Sequence, residues 1–199
     1  MAAQYAVFVE GIDNLRFAES MSANIELAAQ RAINRTADRT RTESARRIRK
    51  EVAFPAAYLN PSAGRLTVAR RAGQGSLEAV IRGQFRPTSL ARFVVGTPRG
   101  GGVSVMVEPG MARFMRRAFL VRLRQGSGSV ETKANKGLAI RLRPGETLEN
   151  KRTARRLSSG LYLLYGPSVD QVFRTVSQDV SPQATAQLEA EFLRLLELK

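Results

Sequence analysis

Apolar and polar positions along the chain change period twice, and the two changes divide it into three regions. Residues 4–10 (QYAVFVE) have the composition of a strand, and Gly11-Ile12-Asp13-Asn14 supplies a turn whose Asn14 can cap a following helix. From there Met21, Ile25, Ala28, Ala29, Ala32, Thr36, Thr40, Ser44, Ile48 and Val52 recur at spacings of three or four, which predicts one long amphipathic helix over 14–53. Its stripe thins to Ala, Thr and Ser in the middle, a composition for close backbone approach. Pro55 ends it, because the residue before a proline is pushed out of helical geometry.

Beyond Pro55 the period falls to two. RLTVARRA (65–72) and SLEAVIRG (76–83) flank Gly73-Gln74-Gly75, a hairpin signal. VSVMVEP (103–109) alternates, and RAFLVRLR (117–124) and GLAIRLRPG (137–145) bracket a polar stretch that predicts a projecting, mobile loop over 125–136. The segment 144–160 is basic and short of apolar anchors, so it is expected as a loop or arm. After LYLLYGP a short helix over Ser168–Ser177 is expected, then a second from Ser181-Pro182 to the end, with Leu188, Phe192, Leu195 and Leu196 as an apolar stripe for a subunit contact. Together these elements predict an α+β fold in a single domain over 1–199. Its long N-terminal helix packs on an antiparallel sheet built from 65–143, and C-terminal helices occupy 168–199.

Charge changes the picture more than size does. The chain has 32 Lys and Arg against 17 Asp and Glu, a formal net charge of +15, and 27 of the 32 bases are arginine. Such a charge makes a polyanion a plausible partner through phosphate neutralisation, while arginine also serves protein interfaces through its planar fork. Both uses stay open at this point. Strand alternation sets Arg122 and Arg124 opposite Phe119, Val121 and Leu123, and Arg141 and Arg143 opposite Leu138, Ile140 and Leu142. The four arginines are therefore expected to form one basic patch that faces DNA or an acidic partner.

Candidate catalytic chemistry is sparse. The chain has no His and no Cys, which removes the commonest general base, the commonest metal ligand and the Cys-His and Ser-His arrangements. The nearest carboxylate pairs, Glu146 with Glu149 and Glu189 with Glu191, read as solvated surface acids, so neither a metal site nor a cofactor is expected. There is no apolar run near 18 residues and no basic leader ahead of AVFV, which points to cytoplasmic synthesis without a membrane span.

Two blocks carry a resemblance. The run Tyr165-Gly166-Pro167-Ser168-Val169-Asp170-Gln171-Val172-Phe173 and the helix LAAQRAINRTADRTRTESARRIRKEV (27–52), with RLTVARRA and RAFLV between them, resemble the minor tail protein Z family of tailed bacteriophages. The resemblance implies a non-enzymatic tail completion protein of the virion, assembled in the host cytoplasm. It would form a ring, six-fold in this expectation, where head and tail join. Its implied partners are the tail terminator, the head-tail connector and the genomic DNA in the channel. The alternative from another class is a free nucleic-acid-binding module. Read from its residues alone, the nine-residue run is a structural anchor: Gly166 allows a turn, Pro167 stiffens it, and Ser168 caps a helix burying Val169, Val172 and Phe173.

Overall fold

The computed structural model describes residues 23–123, 136–148 and 153–197. Among these residues it is an α+β fold, with two 29-residue helices, α1 (Ala23–Glu51) and α2 (Val169–Glu197), and ten antiparallel strands between them. In place of one undivided domain, the chain divides into two compact units interleaved in sequence. Unit 1 takes 1–48, 57–84 and 170–199, and unit 2 takes 49–56 and 85–169.

Unit 1 is built on α1, which runs unbroken across residue 35. Of the expected stripe, Ala28, Ala29, Ala32, Thr36, Thr40, Ser44 and Ile48 are all buried in it; residues 14–22 lie outside the described residues. A second row on α1 holds the hairpin of β1 (Leu66–Arg70) and β2 (Val80–Gly83). Asn34 Nδ2 donates to the Ala72 carbonyl at 3.0 Å while its Oδ1 accepts from the Ala72 N–H at 2.9 Å, so the amide imitates a strand neighbour. One turn on, Asp38 takes a two-pronged contact from Arg71, at 2.7 and 3.0 Å. The buried guanidinium of Arg41 then donates to the carbonyls of Leu66, at 2.9 Å, and Leu59. Positions i, i+4 and i+7 share one helix face, which is why three polar residues can hold one hairpin. The hairpin turn is the expected one: Gly73 and Ser76 exchange backbone hydrogen bonds, with Gly75 at a φ of 76°.

Helix α2 lies antiparallel to α1. Arg35 pairs with Glu191 and Arg47 with Asp179, so twelve residues forward on one helix match twelve backward on the other. The two expected C-terminal helices are in fact one, with Pro182 inside it. Proline removes one helical donor, but Pro182 faces solvent, where water can take the freed carbonyl, and the Thr185 hydroxyl donates to the Ser181 carbonyl at 3.2 Å. Val176, Val180 and Ala184 are buried on both sides of the proline and hold the helix through it.

In unit 2 the order β3-β10-β8-β7 gives one ladder, from Thr88–Ser89, Leu161–Gly166, Lys136–Arg141 and Ala118–Arg122, with β9 (Ala154–Ser158) also on β10. A separate ladder runs β4-β5-β6, from Val94–Gly96, Val103–Glu108 and Met111–Met115. The single sheet expected over 65–143 is therefore three ladders, and pairing continues past 143. The basic arm expected over 144–160 is strand over 154–158; its residues 149–152, and 125–135 of the expected loop, lie outside the described residues. A Cβ at Gly137 on β8 would stand 2.7 Å from a methyl of Leu163 and 3.0 Å from one of Leu123, so both leucine ends would have to shift to admit one.

Candidate polyanion-facing surface

Charge is divided between the units far less evenly than residues are. Unit 1 has 14 Lys and Arg against 12 Asp and Glu, a net +2, whereas unit 2 has 18 against 5, a net +13. Unit 1 uses its charges on itself. Glu191 accepts from Arg35 at 2.5 Å and from Arg194 at 2.7 Å, Asp170 pairs with Arg174 at 2.7 Å, and Glu43 meets both Arg46 and Arg47 at 3.5 Å. Arg35, Arg46 and Arg47 of α1 are thus partly spent on ion pairs within the unit. Glu191, expected as a solvated acid, has a side chain only 6% exposed, and Arg194 first and Arg35 second hold its pKa down to about 2.

Unit 2 is different. Arg117 makes a two-pronged contact with Glu146, at 2.6 and 2.8 Å, and also donates to the Arg141 carbonyl at 2.8 Å. The Arg143 N–H closes the turn on Glu146 at 2.8 Å. Arg117 and then this N–H hold the Glu146 pKa down to about 2, so its carboxylate is an ionised, occupied acceptor and a poor general base. The side chains of Arg86, Arg99, Arg113, Arg116, Arg122 and Arg141 are exposed and have no acidic partner among the described residues. Exposed like charges without acids between them create a field that a polyanion or acidic protein would relieve.

Of the four arginines singled out by alternation, Arg122 and Arg141 fall on opposite faces of the ladder. Arg122 pairs across the ladder with Lys136, Leu120 with Leu138 and Ala118 with Ile140, so Arg122 shares its face with Leu138 and Ile140. Arg141 points to the other face, beside Ala139, and five residues along β8 from Lys136 puts it about 17 Å away. Alternation within each strand is as expected, but the register joining the strands inverts their relation, since a one-residue shift exchanges the faces. Arg143 lies past the end of β8 in the turn held by Glu146, and Arg124 lies outside the described residues.

The other expected site residues are placed as follows. Leu188, Phe192 and Leu195 are half-buried and Leu196 is 36% exposed, so the terminal stripe is only partly covered. In the nine-residue run, Tyr165 and Gly166 end β10 opposite Ser89 and Thr88. Gly166 sits where a Cβ would meet Phe93 at 3.2 Å and Leu90 at 3.3 Å. Pro167 and the buried Ser168 lead into α2, which buries Val169, Val172 and Phe173 as the residues predict. The passage from unit 2 to unit 1 falls inside this run, after Val169.

No family model, curated protein or solved structure matches the chain.

What sequence reasoning missed are the structural arginines, above all Arg41 and the Arg117–Glu146 pair. Their partners are backbone carbonyls 18 and 25 residues away for Arg41 and an acid 29 residues away for Arg117, and no local spacing signals such a contact. Among the described residues there is no cluster of His, Cys, Asp or Glu able to hold a metal ion, and no helix long and apolar enough to cross a membrane.

Proposed function

We propose that the chain is a structural, non-enzymatic component of a tailed bacteriophage virion: a tail completion protein that self-associates in a ring at the head-tail junction around the DNA channel. The resemblance of YGPSVDQVF and the Ala/Arg/Thr helix to minor tail protein Z supports the family, and the two serve here as junction and scaffold. The observation that carries the DNA part of the reading is the concentration of charge, +13 on unit 2 against +2 on unit 1. A ring would multiply the unpaired arginines of unit 2 into a basic collar. Each exposed contact contributes only on the order of 0.2–1 kcal/mol, weak enough for a genome to slide past.

The same charge favours a second reading, a nucleic-acid-binding module outside any particle. The two part on one experiment. Particles made by the phage or prophage that encodes the chain are purified, and the chain is quantified and located by a small tag and particle imaging. A fixed copy number at the neck, with heads and tails left unjoined when the gene is deleted, is the expected result. Particles that lack the protein and stay fully infective after deletion would overturn the virion reading, and strongly salt-dependent DNA binding by the free protein would then favour the module.

A further inference from the structure

Unit 2 exposes an aromatic ring that its own backbone holds from behind. Phe114 on β6 is 57% exposed, yet a Cβ at Gly102 would stand 2.5 and 2.7 Å from two of its ring carbons. Gly102, at a φ of 81°, takes a left-handed conformation open to glycine without strain, and its missing side chain lets the ring rest on the main chain. The ring is braced on that side, and more than half of the residue is left to solvent.

Register decides what surrounds it. Val103 and Val105 of β5 are buried on one face of the ladder, so Ser104 and Met106, with their partners Phe114 and Ala112 on β6, take the other. Ser104 opposite the ring and Gly102 behind it are small, so the ring forms a shelf without walls. A shelf suits a flat ligand; a branched side chain would find little to grip.

Charge narrows the ligand further. The Cα of Arg116 lies 3.1 Å from where a Gly102 Cβ would stand, which starts this side chain beside the ring. The turn closed by the Gly101 N–H on the Pro98 carbonyl, at 3.1 Å, carries Arg99 three residues before Gly102. Both arginines are exposed, and neither has an acidic partner among the described residues. The one acid within 94–116, Glu108, opposes Met111, three residues from Phe114 and about 10 Å along the strand.

We infer that Phe114, with Arg99 and Arg116 beside it, is a stacking platform for single-stranded nucleic acid. A base lies on the open side of the ring, and the two guanidiniums take flanking phosphates. A duplex keeps its base faces stacked on one another, so it offers the arginines its phosphates and the ring nothing. An acidic protein surface would likewise satisfy the arginines and leave the ring without a partner. The inference rests on the nucleic-acid reading of the charge on unit 2, and it holds for a chain inside a particle or free of one.

Full-length protein is titrated into fluorescein-labelled oligothymidylate and into a duplex of the same length, over a range of salt, with anisotropy as the readout. The single strand should bind more tightly than the duplex. Phe114→Leu should weaken the single strand about tenfold, several times more than it weakens the duplex. Arg99→Gln combined with Arg116→Gln should reduce the slope of log K against log salt by about 1.4, the value for two single-strand phosphate contacts. Because the chain has no tryptophan, Phe114→Trp places a lone indole on the shelf; it should keep the affinity, and its emission should be quenched by oligothymidylate. If Phe114→Leu fails to fold by circular dichroism, that quenching decides alone. Equal losses on single strand and duplex, or no quenching at saturation, would overturn the stacking and leave a surface read by charge only. Polyglutamate bound as tightly as the single strand would overturn it in favour of an acidic protein partner. Binding of neither strand at low salt would remove the nucleic-acid reading of unit 2 along with it.

Discussion

Replacing Arg41 by Met tests whether unit 1 is held by one buried cation. The guanidinium, on a residue 8% exposed, is a donor to the carbonyls of Leu59 and Leu66, residues that are 2% and 0% exposed. Methionine keeps the apolar stem and leaves both acceptors dry. Hydrogen bonds from a charged donor contribute about 1.5–3 kcal/mol each, and an orphaned buried acceptor costs about 1–3 kcal/mol. Against this, Met avoids the burial cost of the charge, which lowers the Arg41 pKa in spite of nearby Asp38. The balance is a loss of about 3 kcal/mol, or a Tm lower by about 6–12 °C for a chain of this length. Arg41→Lys should recover less than half of it, since one strongly hydrated ammonium replaces a fork that spans two carbonyls. Arg39→Met, on an exposed position of the same helix, should stay within about 0.5 kcal/mol of wild type. Urea unfolding followed by circular dichroism measures all three. A cost below about 0.5 kcal/mol for Arg41→Met, or an equal cost for Arg39→Met, would refute the argument.

Gly137→Ala should destabilise by about 1–3 kcal/mol through overpacking against Leu163 and Leu123, whereas Gly73→Ala, with open space around it, should be near neutral; equal midpoints in urea would show that β8 gives way freely. For Glu191 the folded-state pKa of about 2 lies below the ordinary 4.5, so its contribution is fully present above about pH 5 and is lost as pH falls toward 2. Glu191→Gln should therefore narrow the difference in urea midpoint between pH 5 and pH 2.5, and an unchanged difference would show that the Arg35–Glu191–Arg194 cluster does not stabilise the helix pair.

The α1 stripe was legible because helical burial follows a single local period: Ala28 through Ile48 are buried where that period put them, and Val52 is buried just beyond the helix. The start of α2 was legible for the same reason, since Val169, Val172 and Phe173 lie at local helical spacing and are buried. Strands β9 and β10 were not. ARRLS has charges on both faces because it is an exposed partner strand, and LYLLYG is a continuous apolar run whose period is ambiguous. The faces of Arg122 and Arg141 depended on a register fixed through residues between the strands, where alternation says nothing. Pro182 misled because a proline at a solvent-facing helix position costs less than the burial on either side of it gains.

Charge was legible as a total but not as a distribution, because unit 1 is assembled from three separated stretches and no linear window isolates it. Once the units are distinguished, the excess of arginine over lysine has two causes. In unit 1 the planar fork is used for structure: Arg41 spans two carbonyls, Arg71 grips Asp38, and Arg35 and Arg194 share Glu191. A lysine could not reproduce these contacts, and nearly balanced acids leave little field outside. In unit 2, by contrast, Arg86, Arg99, Arg113, Arg116, Arg122 and Arg141 are exposed with no acidic partner among the described residues. Substitutions of arginine in unit 1, and of Arg117 in unit 2, should therefore be read first as changes of stability, whereas those of the exposed arginines of unit 2 that lack an acidic partner should leave stability near that of wild type. Exposed arginines of unit 2 such as Arg113 and Arg122 can lose their charge without loss of fold, whereas Arg117, which holds both Glu146 and the Arg141 carbonyl, cannot.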